Sequence, residues 1–319
     1  MSNILVTGAT GQIGSELTML LRERYGNTNV VAAGHRRKPD RELFESGPFH
    51  TIVCTEIDTI ADIVKTYRID TIYHLAALLS AVAEKNPQLA WQVNITGLYN
   101  VLEVAREYSC AVFTPSSIGA FGPTTPLDNT PQDTMQRPTT MYGITKVAGE
   151  LLCDYYFTRF GVDTRGIRFP GLISYKTPPS GGTTDYAVEI FHEALRKKYY
   201  ACYIREGTYL DMMYMPDALR AAVELMEADP DRLRHRNAFN VTAMSFAPEQ
   251  LAEKIKKIIP EFRIGYDIDP MRQAIAESWP NKMDDSAARE EWGWQPLYDL
   301  ETMTGDMLEK LSKNMNGNH

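Results

Sequence analysis

A glycine-rich turn near the amino terminus constrains the fold more than any other feature of this chain. It reads Gly8-Ala9-Thr10-Gly11-Gln12-Ile13-Gly14 and directly follows the apolar segment Ile4–Thr7. That segment is typical of a buried strand, and Ile13–Arg24 has the pattern of an amphipathic helix that ends at Gly26. Small residues between strand and helix let a pyrophosphate approach the free N–H groups of the helix. The alternative is an ordinary turn, but this position in the chain favours nucleotide binding.

The first half of the chain alternates short apolar segments with longer helical patterns. Further strands are predicted at Val30–Ala33, Thr51–Val53, Thr71–Leu75, Ala111–Pro115 and Thr164–Phe169. Helices are predicted between them at Ile60–Tyr67, Leu89–Glu107 and Met141–Phe160, the last closed by Gly161. Strands that alternate with helices of ten or more residues indicate βαβ units. The fold class predicted is therefore α/β, with a Rossmann-type doubly wound parallel sheet.

The remainder of the chain predicts a smaller, mixed α/β C-terminal lobe. Its helical patterns lie at Tyr186–Lys197, Pro216–Met226, Pro248–Ile258 and Leu300–Leu311. We expect residues 1–174, with returning segments around 212–245, to form the dinucleotide-binding domain. Residues 175–211 and 246–319 would form the substrate-binding lobe. Within it, Tyr175–Thr184 is predicted to be a loop, and Asn314–His319 a frayed tail.

Composition excludes several classes of protein. The chain has 319 residues, 44% of them apolar and 23% charged, which is typical of a soluble globular protein. Its net charge of −8 argues against nucleic-acid binding, and no apolar run approaches the roughly 20 residues of a membrane span. The four widely spaced cysteines and six histidines form no metal-binding pattern, so we expect no metal. Cysteines without a disulfide pattern, and no secretory signal, predict a cytoplasmic location.

The end of the predicted second strand lacks the acid that commonly binds the adenosine ribose of NAD. The chain reads Gly34-His35-Arg36-Arg37-Lys38 at this point. Arg36 and Arg37 could contact the 2′-phosphate of NADP, or they could belong to a solvated basic loop. The residues alone favour neither interpretation.

A tyrosine and a lysine four residues apart indicate acid–base chemistry. Tyr142 and Lys146 lie on one face at the start of the predicted Met141–Phe160 helix, and Ser116-Ser117 follow the strand that ends at Pro115. A neighbouring ammonium favours the phenolate, which can take a proton from a substrate hydroxyl. A serine nearby can hydrogen-bond the reacting oxygen. The pair alone is a weak signal, because such spacing also covers ordinary helix flanks, but the glycine turn strengthens it.

With these motifs the chain resembles the extended short-chain dehydrogenase/reductases, and among them the epimerase-like L-threonine 3-dehydrogenases. The broad resemblance rests on Gly8–Gly14, His74–Ala77, Asn94, Ser116-Ser117 and Tyr142-x-x-x-Lys146. The narrower one rests on segments spread over most of the chain, which are Leu78–Ala81, Pro115–Gly122, Arg168–Ile173, Gly181–Ala187, Met212–Met215, Ala243–Phe246 and Ser278–Pro280. It implies oxidation of L-threonine at its 3-hydroxyl to 2-amino-3-oxobutanoate with NAD. That product leads toward glycine or aminoacetone. The family usually has an aspartate where this chain has Gly34, which leaves NADP open.

The resemblance also implies roles for individual residues. Ser117, Tyr142 and Lys146 would be catalytic. The cofactor would contact Gly8, Gly11, Gln12, Ile13, Gly14, Arg36, Glu56, Ile57, Leu75, Ala76, Ala77, Asn94, Tyr142 and Lys146. The substrate would contact Ser80, Ser117, Tyr142, Gly182, Thr183, Thr184 and Asp185. Thr184 and Asp185 also suit the start of a helix at Tyr186, so both roles stay open. The resemblance further implies a homodimer, formed by the Leu89–Glu107 and Tyr142–Phe160 helices.

Two other functions compete with threonine oxidation. The first is a nucleotide-sugar epimerase or dehydratase, but such enzymes commonly have an asparagine where this chain has Gly171. They also need cations for a diphosphate, and segment 175–186 has only Lys176. The second is a non-catalytic dinucleotide-binding sensor. Such relatives typically lose the tyrosine–lysine pair that this chain retains.

Overall fold

The computed structural model describes residues 1–179 and 182–316, and it divides into two compact units. Unit 1 comprises 1–120, 138–168 and 219–239, and unit 2 comprises 121–137, 169–218 and 240–319. The predicted division at 174, 212 and 245 concerns which ligand each part binds, and it stays a prediction. Ser180 and Gly181 of the predicted Tyr175–Thr184 loop lie outside the described residues, and so do residues 317–319 of the predicted frayed tail.

A seven-stranded sheet forms the centre of the fold and confirms the predicted Rossmann-type α/β class. Its strands are β1 Ile4–Thr7, β2 Val30–Gly34, β3 Phe49–Thr51, β4 Thr71–His74, β5 Ala111–Ser117, β6 Thr164–Phe169 and β10 Phe239–Asn240. Their order in the sheet is β10-β6-β5-β4-β1-β2-β3, with β1 paired in parallel to both β2 and β4. Chain order reverses between β1 and β4, and ligands of open α/β sheets bind at the carboxyl ends of strands at such a point.

Helices flank the sheet because their apolar faces pack on its buried strands. The helices up to residue 160 are α1 Gln12–Tyr25, α2 Arg41–Glu45, α3 Ile57–Tyr67, α4 Ser80–Lys85, α5 Pro87–Trp91, α6 Gly97–Tyr108 and α7 Met141–Phe160. One apolar cluster joins Leu5 and Val31 of the sheet to Ile60 of α3 and to Leu98 and Val101 of α6. Helix α7 has the predicted bounds and ends at Gly161, whose φ of +71° is the left-handed conformation that glycine adopts readily.

The later part of the chain adds two small sheets. One has the order β11-β9-β7, with β7 Gly171–Ile173, β9 Leu210–Tyr214 and β11 Met244–Phe246, and the other pairs β8 Tyr199–Cys202 with β12 Arg263–Tyr266. The later helices are α8 Tyr186–Lys197, α9 Met215–Glu227, α10 Pro248–Ile258, α11 Pro270–Glu277, α12 Ser286–Trp292 and α13 Leu300–Asn316. These small sheets and helices agree with the mixed α/β lobe predicted for this part of the chain.

Several predicted bounds were wrong. The third strand lies at Phe49–Thr51 rather than Thr51–Val53, and α13 continues to Asn316, so residues 314–316 are helical rather than frayed. The predicted Leu89–Glu107 helix contains a π-helical turn at Gln92–Thr96 between α5 and α6. Across residues 1–179 and 182–316, no helix is both long and apolar enough to cross a membrane.

Candidate active site

The glycine turn lies at the point where the order of the central strands reverses. Gly8 has a φ of +70°, and a Cβ there would lie 2.7 Å from the backbone of Leu75 and Ala76, which follow β4. A Cβ on Gly14 would lie 2.2 Å from the carbonyl oxygen of Gly8. Only glycine therefore fits these two positions. The structure brings Gly8, Leu75 and Ala76 into contact. That these three residues bind the cofactor is implied by the resemblance and stays a prediction.

The first turn of α1 suits a pyrophosphate. Its N-cap is Gly11, no side chain caps its N–H groups, and it contains no acidic residue. The N–H groups of Gln12 and Ile13 and the positive end of the helix dipole are therefore available to an anion. These residues fit the phosphates of a dinucleotide.

The other predicted cofactor residues follow neighbouring strands. Arg36 is exposed just beyond β2, and Glu56 and Ile57 begin α3 shortly after β3. Ala77 follows Ala76 after β4, and Ser80 begins α4. Because β1, β2, β3 and β4 are parallel, these segments lie along one edge of the sheet.

Tyr142 and Ser117 border the same glycine. A Cβ on Gly119 would lie 3.3 Å from the Tyr142 ring and 3.5 Å from Ser117 Oγ. The Gly119 N–H donates to Ser117 Oγ over 3.1 Å. Helix α7 approaches this segment closely, since a Cβ on Gly143 would lie 2.2 Å from the Gly119 carbonyl oxygen. The side chain of Thr140 caps the helix by accepting from the Gly143 N–H at 3.1 Å.

Lys146 lies one turn further along α7. Its Nζ is 5.4 Å from the centroid of the Tyr142 ring and donates to the Pro115 carbonyl at 2.7 Å. Ser116, by contrast, is buried and donates to Glu150. Of the two adjacent serines, Ser117 thus borders Tyr142, whereas Ser116 belongs to the buried contact between β5 and α7.

Asn94 holds this site together from the π-helical turn. Its Oδ1 accepts from the Leu78 N–H at 2.7 Å, and its Nδ2 donates to the Leu78 carbonyl and to Thr145 Oγ1. Thr145 Oγ1 in turn donates to the Tyr142 carbonyl at 2.8 Å. Asn94 is a positioning residue in these contacts, because it links the segment after β4 to the first turn of α7. The π-helical turn that orients Asn94 was not predicted from the sequence.

His74 lies beneath the site as a neutral imidazole. Its Nδ1 is 2.8 Å from Thr7 Oγ1, while its Nε2 is buried without a hydrogen-bond partner among the described residues. Burial, together with the charge of Lys146, lowers the pKa of His74 to about 3. Such a ring does not take up a second proton to become an imidazolium near neutral pH. It lines a cavity of about 30 Å³ with Ser116, Lys146 and Glu150.

The remaining predicted substrate residues belong to unit 2. Thr183–Asp185 forms a 3₁₀ turn, and Asp185 Oδ2 accepts from the Gly182 N–H at 2.8 Å. The Gly182 carbonyl accepts from the Tyr203 hydroxyl at 3.1 Å. Helix α8 begins at Tyr186 as predicted, but the Asp185 carboxylate caps the 3₁₀ turn instead of α8. Ser80, Ser117 and Tyr142 belong to unit 1.

No group of three or more histidine, cysteine or acidic side chains within 1–179 and 182–316 could hold a metal ion.

Sequence reasoning missed Gly143, Gly119 and Glu150, which shape the contact between α7 and β5. The Gly143 signal was readable, because a glycine inside a helix often marks a close backbone approach.

Comparison with known proteins adds four similarities. Residues 4–242 match the NAD dependent epimerase/dehydratase family. An uncharacterized epimerase/dehydratase of Staphylococcus haemolyticus (strain JCSC1435) is 56% identical over 313 residues, 98% of each chain. Among solved structures, L-threonine dehydrogenase from Clostridium difficile is 61% identical with a TM-score of 0.97, and the alignment covers 98% of each chain.

A GalE-like L-threonine dehydrogenase from Cupriavidus necator, solved in its holo form, is 50% identical with a TM-score of 0.94. Its alignment covers 97% of this chain and 99% of that one. These similarities confirm the resemblance to epimerase-like L-threonine 3-dehydrogenases that the sequence motifs indicated.

Proposed function

Because this chain belongs to the NAD dependent epimerase/dehydratase family, we propose that it oxidises L-threonine at the 3-hydroxyl to 2-amino-3-oxobutanoate. NAD is the proposed coenzyme. The observation that carries the proposal is the arrangement of Tyr142 and Ser117 around Gly119, with Lys146 on the next turn of the same helix. The similarity to two L-threonine dehydrogenases supports the choice of substrate.

In this mechanism the chain's own side chains accept the proton of the threonine hydroxyl and hydrogen-bond its oxygen. Nicotinamide, when bound, supplies a hydride acceptor. Tyr142 Oη takes the proton of the threonine hydroxyl as C3 loses its hydride, which leaves a ketone. The Lys146 ammonium stabilises the phenolate, and Ser117 Oγ donates to the substrate oxygen. Asn94 and Thr145 fix the turn that carries Tyr142.

The decisive test replaces only the phenol oxygen. We expect Tyr142→Phe to fold and to bind coenzyme, while its kcat for threonine falls roughly 10²–10⁴-fold, because the proton acceptor is lost. Absorbance at 340 nm with L-threonine and NAD measures the rate, and nucleotide titration measures binding. A variant that retains the wild-type kcat would refute the role of Tyr142, and wild-type protein that binds coenzyme without turnover would favour a sensor.

We assign the threonine ammonium to Asp185, a substrate contact that the resemblance implies. Asp185→Asn keeps an oxygen that can accept from the Gly182 N–H, so the 3₁₀ turn persists while the charge is lost. We expect this variant to raise the KM for threonine about tenfold, with the KM for NAD unchanged. If Asp185→Asn behaves as wild type and only Asp185→Ala is impaired, the carboxylate acts solely as a cap.

Packing around Gly171 argues against the epimerase alternative. A Cβ there would lie 2.3 Å from Met212 Sδ and 2.8 Å from Thr184 Cγ2. The asparagine common in sugar-nucleotide enzymes therefore does not fit this position without movement of both neighbours. Turnover of a UDP-sugar without net NADH formation would support that alternative instead.

A homodimer in the cytoplasm completes the proposal. Large apolar side chains are exposed on α5, α6 and α7 of unit 1, and they include Leu89, Trp91, Tyr99, Ile144, Leu151 and Tyr155. Such a face suits pairing with a second copy. All four cysteines are free thiols, three of them buried, which fits a reducing compartment.

A further inference from the structure

We propose that His74 and Lys146 share a buried water molecule beneath the candidate active site, and that His74 positions the Lys146 ammonium through this water. The inference rests on the proposed function, since it concerns how Lys146 supports the Tyr142 phenolate. It is carried by a buried ring nitrogen of His74 that lacks a partner among the described residues, and by the polar cavity that His74 lines.

The His74 ring is hydrogen-bonded on one side only. His74 ends β4 and is aligned with Thr7 at the end of β1, where Thr7 Oγ1 lies 2.8 Å from His74 Nδ1. The residue is 4% exposed, and its Nε2 has no hydrogen-bond partner within residues 1–179 and 182–316. A buried polar nitrogen that loses water without gaining another bond destabilises the fold, so native structures usually supply a partner, often an ordered water.

The cavity beside His74 has room for that water. Its volume is about 30 Å³, whereas a single water needs roughly 10–15 Å³. The wall includes the Lys146 side chain, whose ammonium has three N–H donors and uses one of them on the Pro115 carbonyl at 2.7 Å. Because Lys146 and His74 line the same cavity and His74 Nε2 has no direct bond to Lys146, one water between them satisfies both.

The chemistry of the two groups sets the direction of these hydrogen bonds. An ammonium only donates, so the water oxygen accepts from Lys146 and the water donates one of its protons to His74 Nε2. Nε2 is then the unprotonated nitrogen of a neutral ring, and the Nδ1–H donates to Thr7 Oγ1. The lowered pKa of the buried His74 ring agrees with this neutral form.

The other titratable groups around the cavity are already paired or neutral. The Glu150 carboxylate binds the Arg168 guanidinium at 2.8 Å and accepts from the Ser116 hydroxyl. Cys153, on the same helix as Lys146, remains a neutral thiol because burial raises its pKa. Lys146 is therefore the cation that the water and the imidazole stabilise.

This arrangement bears on the proposed proton transfer. The Lys146 ammonium stabilises the Tyr142 phenolate only while it stays charged and close to the Tyr142 ring, whose centroid is 5.4 Å from Nζ. A neutral acceptor behind the ammonium favours the charged form and limits the rotation of the long lysine side chain. Without that acceptor the phenolate is less favoured, so proton abstraction requires a higher pH.

Two substitutions separate the two nitrogens of the imidazole. His74→Asn keeps a polar group near the position of Nδ1 but does not reach the cavity, whereas His74→Gln extends a carbonyl oxygen toward the position of Nε2. We expect His74→Asn to move the midpoint of the acid limb of the kcat–pH profile upward by about one pH unit. Below that midpoint kcat should fall about tenfold, with the KM for threonine unchanged. His74→Gln should keep the wild-type midpoint, because it still accepts from the water.

His50→Asn is the matched control. It makes the same change at a half-buried histidine of unit 1 whose Nε2 is already bonded to the Tyr67 hydroxyl at 2.9 Å. It should retain the wild-type profile. Equal losses of kcat in both His74 variants, without a change of midpoint, would mean that His74 only supports the fold and would overturn the positioning role.

A high-resolution crystal structure of the full chain tests the water itself without any reaction. We expect one ordered water within hydrogen-bond distance of both His74 Nε2 and Lys146 Nζ, and a cavity without it would refute the proposal. Wild-type protein that holds this water but does not oxidise threonine would contradict the proposed function and leave the water site standing.

Discussion

At the scale of single residues, Asp211 has an environment that opposes its charge. It is fully buried in β9, where its carboxyl accepts from Thr242 Oγ1 at 2.5 Å and from the Met283 N–H at 2.8 Å. Burial raises its pKa from 3.8 to about 8, and the two hydrogen bonds only partly oppose this shift. The folded chain therefore holds a proton at Asp211 over a pH range in which the unfolded chain has released it.

The stability that this proton contributes to the folded chain falls as pH rises. Because the folded pKa is the higher one, the stabilising proton is fully present below about pH 4, and its contribution is lost as pH rises toward 8. The loss reaches at most about 1.4 kcal/mol per pH unit. We expect Asp211→Asn, which does not titrate, to show a shallower fall of Tm between pH 5 and pH 8 than wild type.

Differential scanning calorimetry across that pH range measures the two slopes. Asp267→Asn, a change at an exposed aspartate of the same unit, should retain the wild-type slope. Identical slopes for Asp211→Asn and wild type would mean that Asp211 is already ionised in the folded chain.

Single residues also show where sequence reasoning stops. The glycine turn was predictable from the sequence, because the motif requires a tight backbone turn. A side chain at Gly8 or Gly14 would collide with neighbouring backbone atoms. The environment of Gly34 was not predictable, since Thr10 and Phe49 crowd it only after β3 has paired with β2. Asp211 had no readable signal either, because its burial depends on partners 31 and 72 residues away in the chain.

At the scale of elements, a buried ion pair fixes α7 against β6. Arg168 and Glu150 are both nearly inaccessible, and the Arg168 guanidinium donates to the carboxylate at 2.8 Å. Glu150 lies one turn beyond Lys146. We expect Glu150→Leu to destabilise the fold by about 3–5 kcal/mol, because it removes the carboxylate that the buried Arg168 guanidinium contacts.

A double-mutant cycle checks this interpretation by urea denaturation. Glu150→Leu combined with Arg168→Met should recover most of the lost stability, since apolar replacements of a buried pair are often neutral. Additive losses in the double variant would show that each residue contributes independently of the pair.

Periodicity predicted most elements because each apolar face is local in sequence. The bounds of α7, α8 and α10 agree with the predicted ones. The π-helical turn at Gln92–Thr96 was missed, because one extra residue within a turn barely disturbs a helical pattern. Its consequence is functional, as it lies between α5 and α6 and carries the Asn94 contacts to Leu78 and Thr145.

At the scale of the whole molecule, the alternation of predicted strands and helices was enough to give the fold class. It was not enough to assign residues to the two units. Segment 121–137 belongs to unit 2 although it lies between two parts of unit 1. Its contacts are distant in sequence, such as the bridge between Thr130 and Met283. Local patterns do not encode such pairings.

The proposed dimer gives the last prediction. Leu151 is 63% exposed on α7, so a charge there costs the isolated chain little but would be buried without a partner at an interface. We expect wild-type protein to be a dimer by analytical ultracentrifugation and Leu151→Glu to be a folded monomer. Met271→Glu, at an apolar side chain 74% exposed on α11, should remain dimeric. A wild-type monomer would exclude the proposed dimer. A dimer that persists in Leu151→Glu would place the dimer interface elsewhere on the chain.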